Sequence, residues 1–524
     1  MKIPSFFIKL GTILFFVLAV LSLGLCYFFP IYLDEFVYKV LYTRLFLDGG
    51  RIITAYPQCA REFLQEVPIW AYPMRSIDAL LLSDFTNPSL HRLLGLCFFI
   101  TEIIFTFLIL RTLPLLDKIK KWLVFAFGAS FFFLGVLPFQ MAMVRPEAAV
   151  LLALLLILVL YFNFVEFENP TQARLKNHNV FILILGCVLA AFSYHVKVLF
   201  FLPMILLLLA TFPVSFPIRL LGMAGVLFFA RLAFAYFDRF AVCKDYPFVA
   251  YIYTYLMISP SDFFHSPLDT VIKASKNLIN VSQYFKNMYF YPSYESIWLP
   301  SVWSAKIRVG ALIKWFMVGY FFFSWGLIIS SIWKAFLKSQ STPTDIRQRT
   351  SFTIGVFIFI GMLGWACMQS GKNFYEAALF VPFFLLAVTL ILNGLNDSLS
   401  IWLHSYFIKL SIGLAILSQC YLLICFGPFL PQWSKGGFLE IQPSSFSHFH
   451  FSEIRKEIIT AASLCGIKPD QALEHLVIDD LTYSVFWKTK LPYYSTYLGN
   501  QLSSRIPDLR MFLRNRGSPG LVAT

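Results

Sequence analysis

Long apolar runs recur along this chain of 524 residues, separated by short polar stretches. Each run is about 15–25 residues long, which is enough for a helix to cross a bilayer. The pattern predicts eleven membrane helices, at 10–29, 94–114, 122–140, 147–165, 180–194, 197–212, 218–236, 309–333, 351–369, 376–394 and 408–427. The runs that meet near residue 195 are short, so this part of the chain is predicted to be broken or re-entrant.

Two longer polar segments interrupt the apolar pattern, at 30–93 and at 237–308. In the first, Phe36–Leu47 has helical periodicity with its charges on one face and Gly49-Gly50 after its end, which predicts a helix lying on the membrane interface. The second segment is rich in Tyr, Ser and Pro and is too long for a simple connection. We expect it to cover a site.

The composition changes after the last apolar run, and residues 434–524 predict a small soluble α+β domain. Ser452 is a candidate N-cap for an amphipathic helix over Glu453–Cys465, with Gly466 beyond its end. Strands are predicted at 475–478 and 483–487. The predicted fold is therefore an α-helical polytopic membrane module, residues 1–433, followed by this domain.

Composition and charge agree with a membrane protein. The chain is 58% hydrophobic and only 13% charged, whereas soluble domains carry about 25% charged residues. The net charge of +14 does not indicate nucleic-acid binding, because Lys and Arg concentrate in alternate short loops of the kind retained in the cytoplasm. This alternation places the N-terminus in the cytoplasm and, with eleven helices, the C-terminal domain on the opposite, outer side.

Two adjacent carboxylates, Asp34 and Glu35, follow the first apolar run, where Pro30 ends the helix. A carboxylate pair at a membrane surface beneath other helices suits proton chemistry. The same pair also fits a solvated helix end.

Further polar groups lie on the same predicted side. Arg145-Pro146-Glu147 begins the fourth run, where Glu147 either caps the helix or orients Arg145 towards an anionic ligand. Lys197 lies at the turn between the fifth and sixth runs, directly after His195. A charge at the centre of a membrane helix costs about 2.5–3.5 kcal/mol on insertion, so a cation in this position favours a function.

The last polar group joins the ninth and tenth runs and contains Lys372, Asn373, Tyr375 and Glu376. Lys372 and Glu376 are spaced to pair on a helix end, which is the simpler interpretation. However, Arg145, Lys197 and Lys372 are cations from three separate outer loops. Together they predict a site for a phosphate leaving group beside the carboxylate pair.

These features resemble the GT-C superfamily of membrane glycosyltransferases, which includes protein O-mannosyltransferases and the aminoarabinose transferases of lipid A. The resemblance rests on the acidic pair after the first span, the long first outer loop, the Arg145-Pro146-Glu147 element, the His195/Lys197 turn and the outer C-terminal domain. It covers nearly the whole chain in architecture but only short motifs in sequence. It implies a polyprenyl-phosphate-sugar donor, an unknown acceptor (lipid, glycan or protein) and an active site on the periplasmic or luminal face.

The resemblance also implies roles for individual residues. Asp34 is expected to act as general base in a single inverting displacement, and Glu35 to position Asp34 or the acceptor. The donor phosphate is expected to bind Arg145, His195, Lys197 and Lys372. Substrate positioning is expected of Glu147, Tyr194, Asn373, Tyr375 and Glu376.

Three points stay open at the level of sequence. Some relatives use Mg²⁺ or Mn²⁺, and Asp34 and Glu35 offer suitable oxygen ligands, but no complete ligand set is visible. A transporter or flippase of lipid-linked sugars, an O-antigen polymerase or ligase and a structural subunit are alternative functions. The bacterial inner membrane is the expected location, with the C-terminal domain in the periplasm.

Overall fold

The computed structural model describes residues 5–29, 31–32, 51–56, 61–66, 88–117, 119–169, 172–175, 179–194, 196–239, 258, 262–282, 304–337, 346–369, 376–394, 398–434, 439–440, 451–466, 476–478, 493–494 and 521–522. Most of them are helical. The helices in chain order are α1 Ser5–Tyr27, α2 Pro88–Leu110, α3 Pro114–Asp117, α4 Lys121–Ser130, α5 Leu137–Met141, α6 Pro146–Phe164, α7 Asn179–Tyr194, α8 Leu202–Ala210, α9 Phe216–Arg239, α10 Asp262–His265, α11 Pro267–Ile279, α12 Ser304–Leu337, α13 Ile346–Met368, α14 Ala377–Asn393, α15 Ser398–Phe426, α16 Leu430–Trp433 and α17 Phe451–Leu464.

Seven helices among the described residues are long and apolar enough to cross a membrane: α1, α2, α6, α9, α12, α13 and α15. The shorter apolar helices α7, α8 and α14 lie at three further predicted spans. The chain is thus an integral membrane protein with a mostly helical fold.

The predicted span at 122–140 is wrong as a single helix. The structure has α4, then a turn, then the five-residue helix α5. Gly135 lies in this turn with φ of 55°, a backbone conformation that residues with a Cβ rarely adopt. Pro138 lies in the first turn of α5, where its missing N–H costs little.

The chain is also broken near residue 195, as the short apolar runs predicted. Helix α7 ends at Tyr194, a 3₁₀ helix covers Val196–Phe201, and α8 follows directly. This break matters because Lys197 lies in the 3₁₀ helix and not in a continuous span.

Helix α14 forms the centre of the bundle, since every one of its residues is buried. It packs against α13, α12 and α6. A Cβ added to Gly355 of α13 would lie 2.9 Å from side-chain atoms of Leu390 and Ile391, so glycine is what allows α13 to approach this closely.

The buried guanidinium of Arg92, in the first turns of α2, joins three parts of the chain. It donates hydrogen bonds of 2.8 Å to the carbonyl oxygens of Phe29 and Ala142. The Phe29 ring stacks on Phe139 at 4.3 Å between ring centres. A Cβ on Gly95, one turn along α2, would overlap the Ala142 carbonyl oxygen. The end of α1 and the turn before α6 are therefore held together.

Short strands connect distant segments outside the helical bundle. Strand β1, Ile31–Tyr32, pairs in parallel with β6, Leu439–Glu440. The other strands are β2 Arg51–Tyr56, β3 Arg61–Glu66, β4 Val165–Asn169, β5 Gln172–Leu175, β7 Leu476–Ile478, β8 Tyr493–Tyr494 and β9 Leu521–Val522. Strands β4 and β5 form a hairpin after α6. A further sheet has the order β3-β2-β8-β7-β9 and joins strands β2 and β3 to the C-terminal segment.

The C-terminal predictions can be compared only in part. Helix α17 and strand β7 lie where a helix and a strand were predicted, and Gly466 follows the helix with φ of 74°. The predicted N-cap is wrong, because α17 begins at Phe451 and Ser452 lies inside it. The predicted interface helix at 36–47 and the strand at 483–487 lie outside the described residues, and the division at residue 434 stays a prediction.

Candidate functional site

Arg145 and Glu147 form the first half of a buried ionic cluster at the start of α6. Arg145 is the extended residue that precedes the helix, with φ of −117° and ψ of 158°, and Pro146 is the first helical residue. Extended backbone is the conformation preferred before a proline. The Arg145 Nε donates to Glu147 Oε2 at 3.3 Å, and both side chains are buried. The two residues therefore pair across the helix start.

Lys197 connects this pair to the other side of the bundle. Its ammonium lies 3.1 Å from Glu147 Oε1 and 2.8 Å from Glu376 Oε1. Glu376 is buried and immediately precedes α14. One lysine thus bridges carboxylates that are 229 residues apart in the chain, by the difference of their numbers.

The end of α13 completes the cluster with two uncharged side chains. The Gln369 side-chain amide donates to Glu376 Oε1, and the Trp365 indole N–H donates to Gln369 Oε1. The Lys197 ammonium also lies 5.3 Å from the centre of the Trp365 ring, within the range of a cation–π interaction. Residues from four chain segments therefore meet around one ammonium group.

We define the ionic cluster as Arg145, Glu147, Lys197 and Glu376. Its two cations and two carboxylates balance in formal charge. Burying an unpaired ion costs several kcal/mol even after relaxation, and this arrangement avoids that cost by giving each charge an opposite neighbour. Packing of α14 alone does not require it, since apolar residues would fill the same volume. The cluster is thus a preorganised set of charges at one end of the central helix.

The structure brings four of the predicted site residues together, and these are the members of the ionic cluster. Their predicted roles are not tested by this geometry and stay predictions. Tyr194 is the last residue of α7, and only its backbone is described. The other predicted site residues lie outside the described residues: Asp34, Glu35, His195, Lys372, Asn373 and Tyr375.

Sequence reasoning missed Trp365, Gln369 and Arg92. Gln369 is the last residue of an otherwise apolar run and Trp365 precedes it by one helical turn, a spacing that lets the two side chains meet. This pair was a usable signal that the prediction passed over. Arg92 stands just before a predicted span, where a cation is common and gives no particular signal.

Among the described residues, no group of three or more His, Cys, Asp or Glu side chains is arranged to hold a metal ion. The cluster contributes two carboxylates, and both are engaged with Lys197. The predicted ligands Asp34 and Glu35 lie outside the described residues, so the metal site stays a prediction.

Comparison with known proteins assigns neither a fold family nor a function to this chain. No family model matches the sequence, and no curated protein matches it. Among solved structures the chain is similar to ArnT from Cupriavidus metallidurans, in a crystal structure bound to undecaprenyl phosphate. The identity is 11%, the match covers 97% of this chain and 89% of that chain, and the TM-score is 0.41. A TM-score of this size assigns neither fold nor function.

Proposed function

We propose that this protein is an integral-membrane glycosyltransferase, which moves a sugar from a polyprenyl-phosphate donor to a lipid, glycan or protein acceptor. The observation that carries the proposal is the ionic cluster, in which Lys197 bridges Glu147 and Glu376 beside Arg145. Charged groups are costly at membrane depth and are retained mostly where they serve a function.

The two cations of the cluster suit a lipid-linked phosphate. An arginine and a lysine together offer charge-assisted hydrogen bonds to phosphate oxygens. In the absence of the lipid, Glu147 and Glu376 keep both cations in place. A phosphate that enters then meets oriented donors, so little free energy is lost in ordering them.

The Arg92 contacts support a place for the carboxylate pair near this cluster. Arg92 binds the carbonyls of both Phe29 and Ala142. Asp34 is five residues beyond Phe29, and Arg145 is three residues beyond Ala142. Five residues of chain span at most about 18 Å and three at most about 11 Å. The chain segments that lead to Asp34 and to Arg145 thus start from two residues, Phe29 and Ala142, that Arg92 holds together.

In the proposed reaction, Asp34 accepts the proton of an acceptor hydroxyl or amine as that group attacks the anomeric carbon of the sugar. The bond between this carbon and the phosphate oxygen breaks in the same step, with inversion. The lipid phosphate leaves with the bonding electron pair and is held by Arg145, Lys197 and Lys372. Glu35 positions the acceptor or Asp34, and His195 donates a hydrogen bond to the phosphate.

We place this reaction on the periplasmic face of a bacterial inner membrane, with the N-terminus in the cytoplasm. Asp34 and Glu35 also suit Mg²⁺ or Mn²⁺, which would bind phosphate oxygens at that position. Substrate positioning by Tyr194, Asn373 and Tyr375 belongs to the same proposal.

The experiment uses the full chain in lipid vesicles with a synthetic polyprenyl-phosphate sugar and an acceptor mixture, and measures release of polyprenyl phosphate. Asp34→Asn removes the base but keeps the shape, so release should fall by about 10²–10⁴-fold. Asp117→Asn, an exposed aspartate on α3, is the matched control and should release lipid phosphate at the wild-type rate.

Donor binding should survive in Asp34→Asn, whereas Lys197→Gln should weaken it at least tenfold. Near wild-type turnover of Asp34→Asn would refute the assignment of the base. Movement of the sugar lipid across the bilayer without release of its phosphate would instead support a flippase.

A further inference from the structure

Helix α11 and the short helix α10 before it expose their apolar face, and α11 packs its polar face against the protein. Its large apolar side chains lie on the exposed face, with exposed fractions of 88% for Phe264, 72% for Leu268 and 77% for Ile279. Val271 and Ile272, which lie between Leu268 and Ile279, are each about half exposed. The spacing is that of one helical stripe. We call these five residues the apolar stripe.

The opposite face of α11 carries polar side chains and packs against the protein. Thr270 and Asn277 are buried there. The Thr270 hydroxyl lies within hydrogen-bond distance of the carbonyls of Ser266 and Asp262, at 2.8 and 3.0 Å. Burial also lowers the pKa of Lys273 on this side, and the Asp262 carboxylate opposes the shift.

Two hydrogen bonds connect α11 and the nearby residue Ile258 to the end of α13. The Asn277 side-chain amide donates to the Cys367 carbonyl at 2.8 Å, and the backbone N–H of Ile258 donates to the Met368 carbonyl at 2.7 Å. These carbonyls belong to the last turn of α13, where a helix offers its carbonyls to partners outside it. Since α13 is a candidate membrane span that ends at Met368, α11 is held at the level where that span ends.

The apolar stripe lies where the span α13 ends, and its exposed side chains are more stable in an apolar medium than in water. Fully burying one side chain of this kind is favourable by about 1.5–3 kcal/mol, so five of them in water would be a large cost. The exposed Asp269 and Lys276 run along one edge of the stripe. Charged residues beside an apolar face are typical of helices that lie among lipid headgroups.

We propose that α10 and α11 lie in the bilayer surface on the side of the ionic cluster, with the apolar stripe inserted among the acyl chains of bulk phospholipid. The protein holds the polar face of α11, and the membrane solvates the other. This inference does not depend on the proposed sugar transfer. It adds a lipid-binding element to the segment 237–308.

The test uses the full chain in vesicles of phosphatidylethanolamine and phosphatidylglycerol. The photo-reactive residue p-benzoylphenylalanine replaces Leu268 or Ile279 in turn, and Asp269 or Lys276 in matched controls. Because the excited ketone abstracts hydrogen from nearby C–H bonds, the stripe positions should cross-link to phospholipid at least fivefold more than the edge positions, as read by mass spectrometry.

Three outcomes would overturn the proposal: equal cross-linking at stripe and edge positions, cross-linking of the stripe to protein, or cross-linking only to added polyprenyl phosphate. Size-exclusion elution in detergent checks that each labelled chain is folded. A second probe uses nitroxide labels at positions 268 and 269. The label at 268 should be more accessible to oxygen than to a water-soluble nickel complex, and the label at 269 should show the reverse.

Discussion

The two ends of the buried helix α14 are bound to their neighbours by different chemistry. At its start, Glu376 binds the Lys197 ammonium inside the ionic cluster. At its end, Asn393 accepts a hydrogen bond of 3.1 Å from the backbone N–H of Leu115 and donates one of 3.0 Å to the Ser351 hydroxyl. The helix between them has 17 residues, all buried, so the two ends are about 25 Å apart.

The end at Asn393 shows that uncharged hydrogen bonds are enough to anchor a buried helix. One amide satisfies its neighbours there without any charge, and a hydrogen bond of this kind contributes about 0.5–1.5 kcal/mol. The ionic end carries four charges whose desolvation costs several kcal/mol per ion before pairing. Since the neutral contacts at Asn393 anchor the helix at a lower desolvation cost, we propose that the ionic cluster also binds phosphate.

The largest effect should come from Lys197→Met at the ionic end. Glu147 and Glu376 then lose the cation that they share, and breaking a buried ion pair by removing one partner costs about 3–5 kcal/mol. Thermal unfolding in detergent measures the loss of stability. A shift no larger than that of a surface variant would show that the cluster is solvated.

The double variant Lys197→Met/Glu376→Gln separates folding from function, because it removes one charge of each sign. It should recover most of the stability lost in Lys197→Met. Release of polyprenyl phosphate should stay at the background level. Recovery of both would mean that the cluster serves only the fold.

A smaller loss is expected for Asn393→Leu at the neutral end. The backbone N–H of Leu115 loses its acceptor, at a cost of about 1–3 kcal/mol. Stability should fall in thermal unfolding, while release of lipid phosphate per folded molecule stays at the wild-type value. A loss of turnover without a loss of stability would contradict the comparison between the two ends.

A similar cost of about 1–3 kcal/mol is expected for Gly95→Ala, which overpacks the contact between α2 and the turn before α6. Gly24→Ala is the matched control, because a Cβ there meets nothing within 4 Å. The control should unfold at or slightly above the wild-type temperature, since alanine is the better helix former. Similar unfolding temperatures for the two variants would mean that α2 can move away from Ala142.

The smallest effect is expected at Thr389, inside α14 and one turn before its end. The Thr389 hydroxyl bonds the Leu385 carbonyl within the same helix at 2.9 Å. Such bonds duplicate a backbone interaction, so Thr389→Val should change the free energy of unfolding by less than about 0.5 kcal/mol. A larger loss would show that polar groups matter along the whole helix and not only at its ends.

The sequence predicted the helices well because a membrane span is a local signal. Each of the eleven predicted runs contains a helix, since length and hydrophobicity alone decide that outcome. The break at Gly135 was missed because a single glycine in an apolar run is not distinctive. The shared sheet was missed because the pairing of 51–56 with residues near 494 depends on contacts far apart in the chain.

The candidate site was predictable only as a set of charges. Its position near membrane depth singled out Lys197, and the polar loops on the same predicted side added Arg145, Glu147 and Glu376. Nothing local indicated that one ammonium would bridge two glutamates. Such contacts depend on how α6, α13 and α14 pack. Gln369 shows the same limit, because its role follows from its neighbour Glu376 seven residues away across the gap between two helices.

The anchoring of Phe29 has a consequence for biosynthesis. Its ring packs edge-on against Trp433 at 5.6 Å between ring centres, and its carbonyl is held by Arg92. Arg92 follows Phe29 by 63 residues, whereas Trp433 follows it by 404, by the difference of their numbers. The contact between Phe29 and Trp433 can therefore form only after some four hundred further residues have been translated, long after Arg92 is available to Phe29.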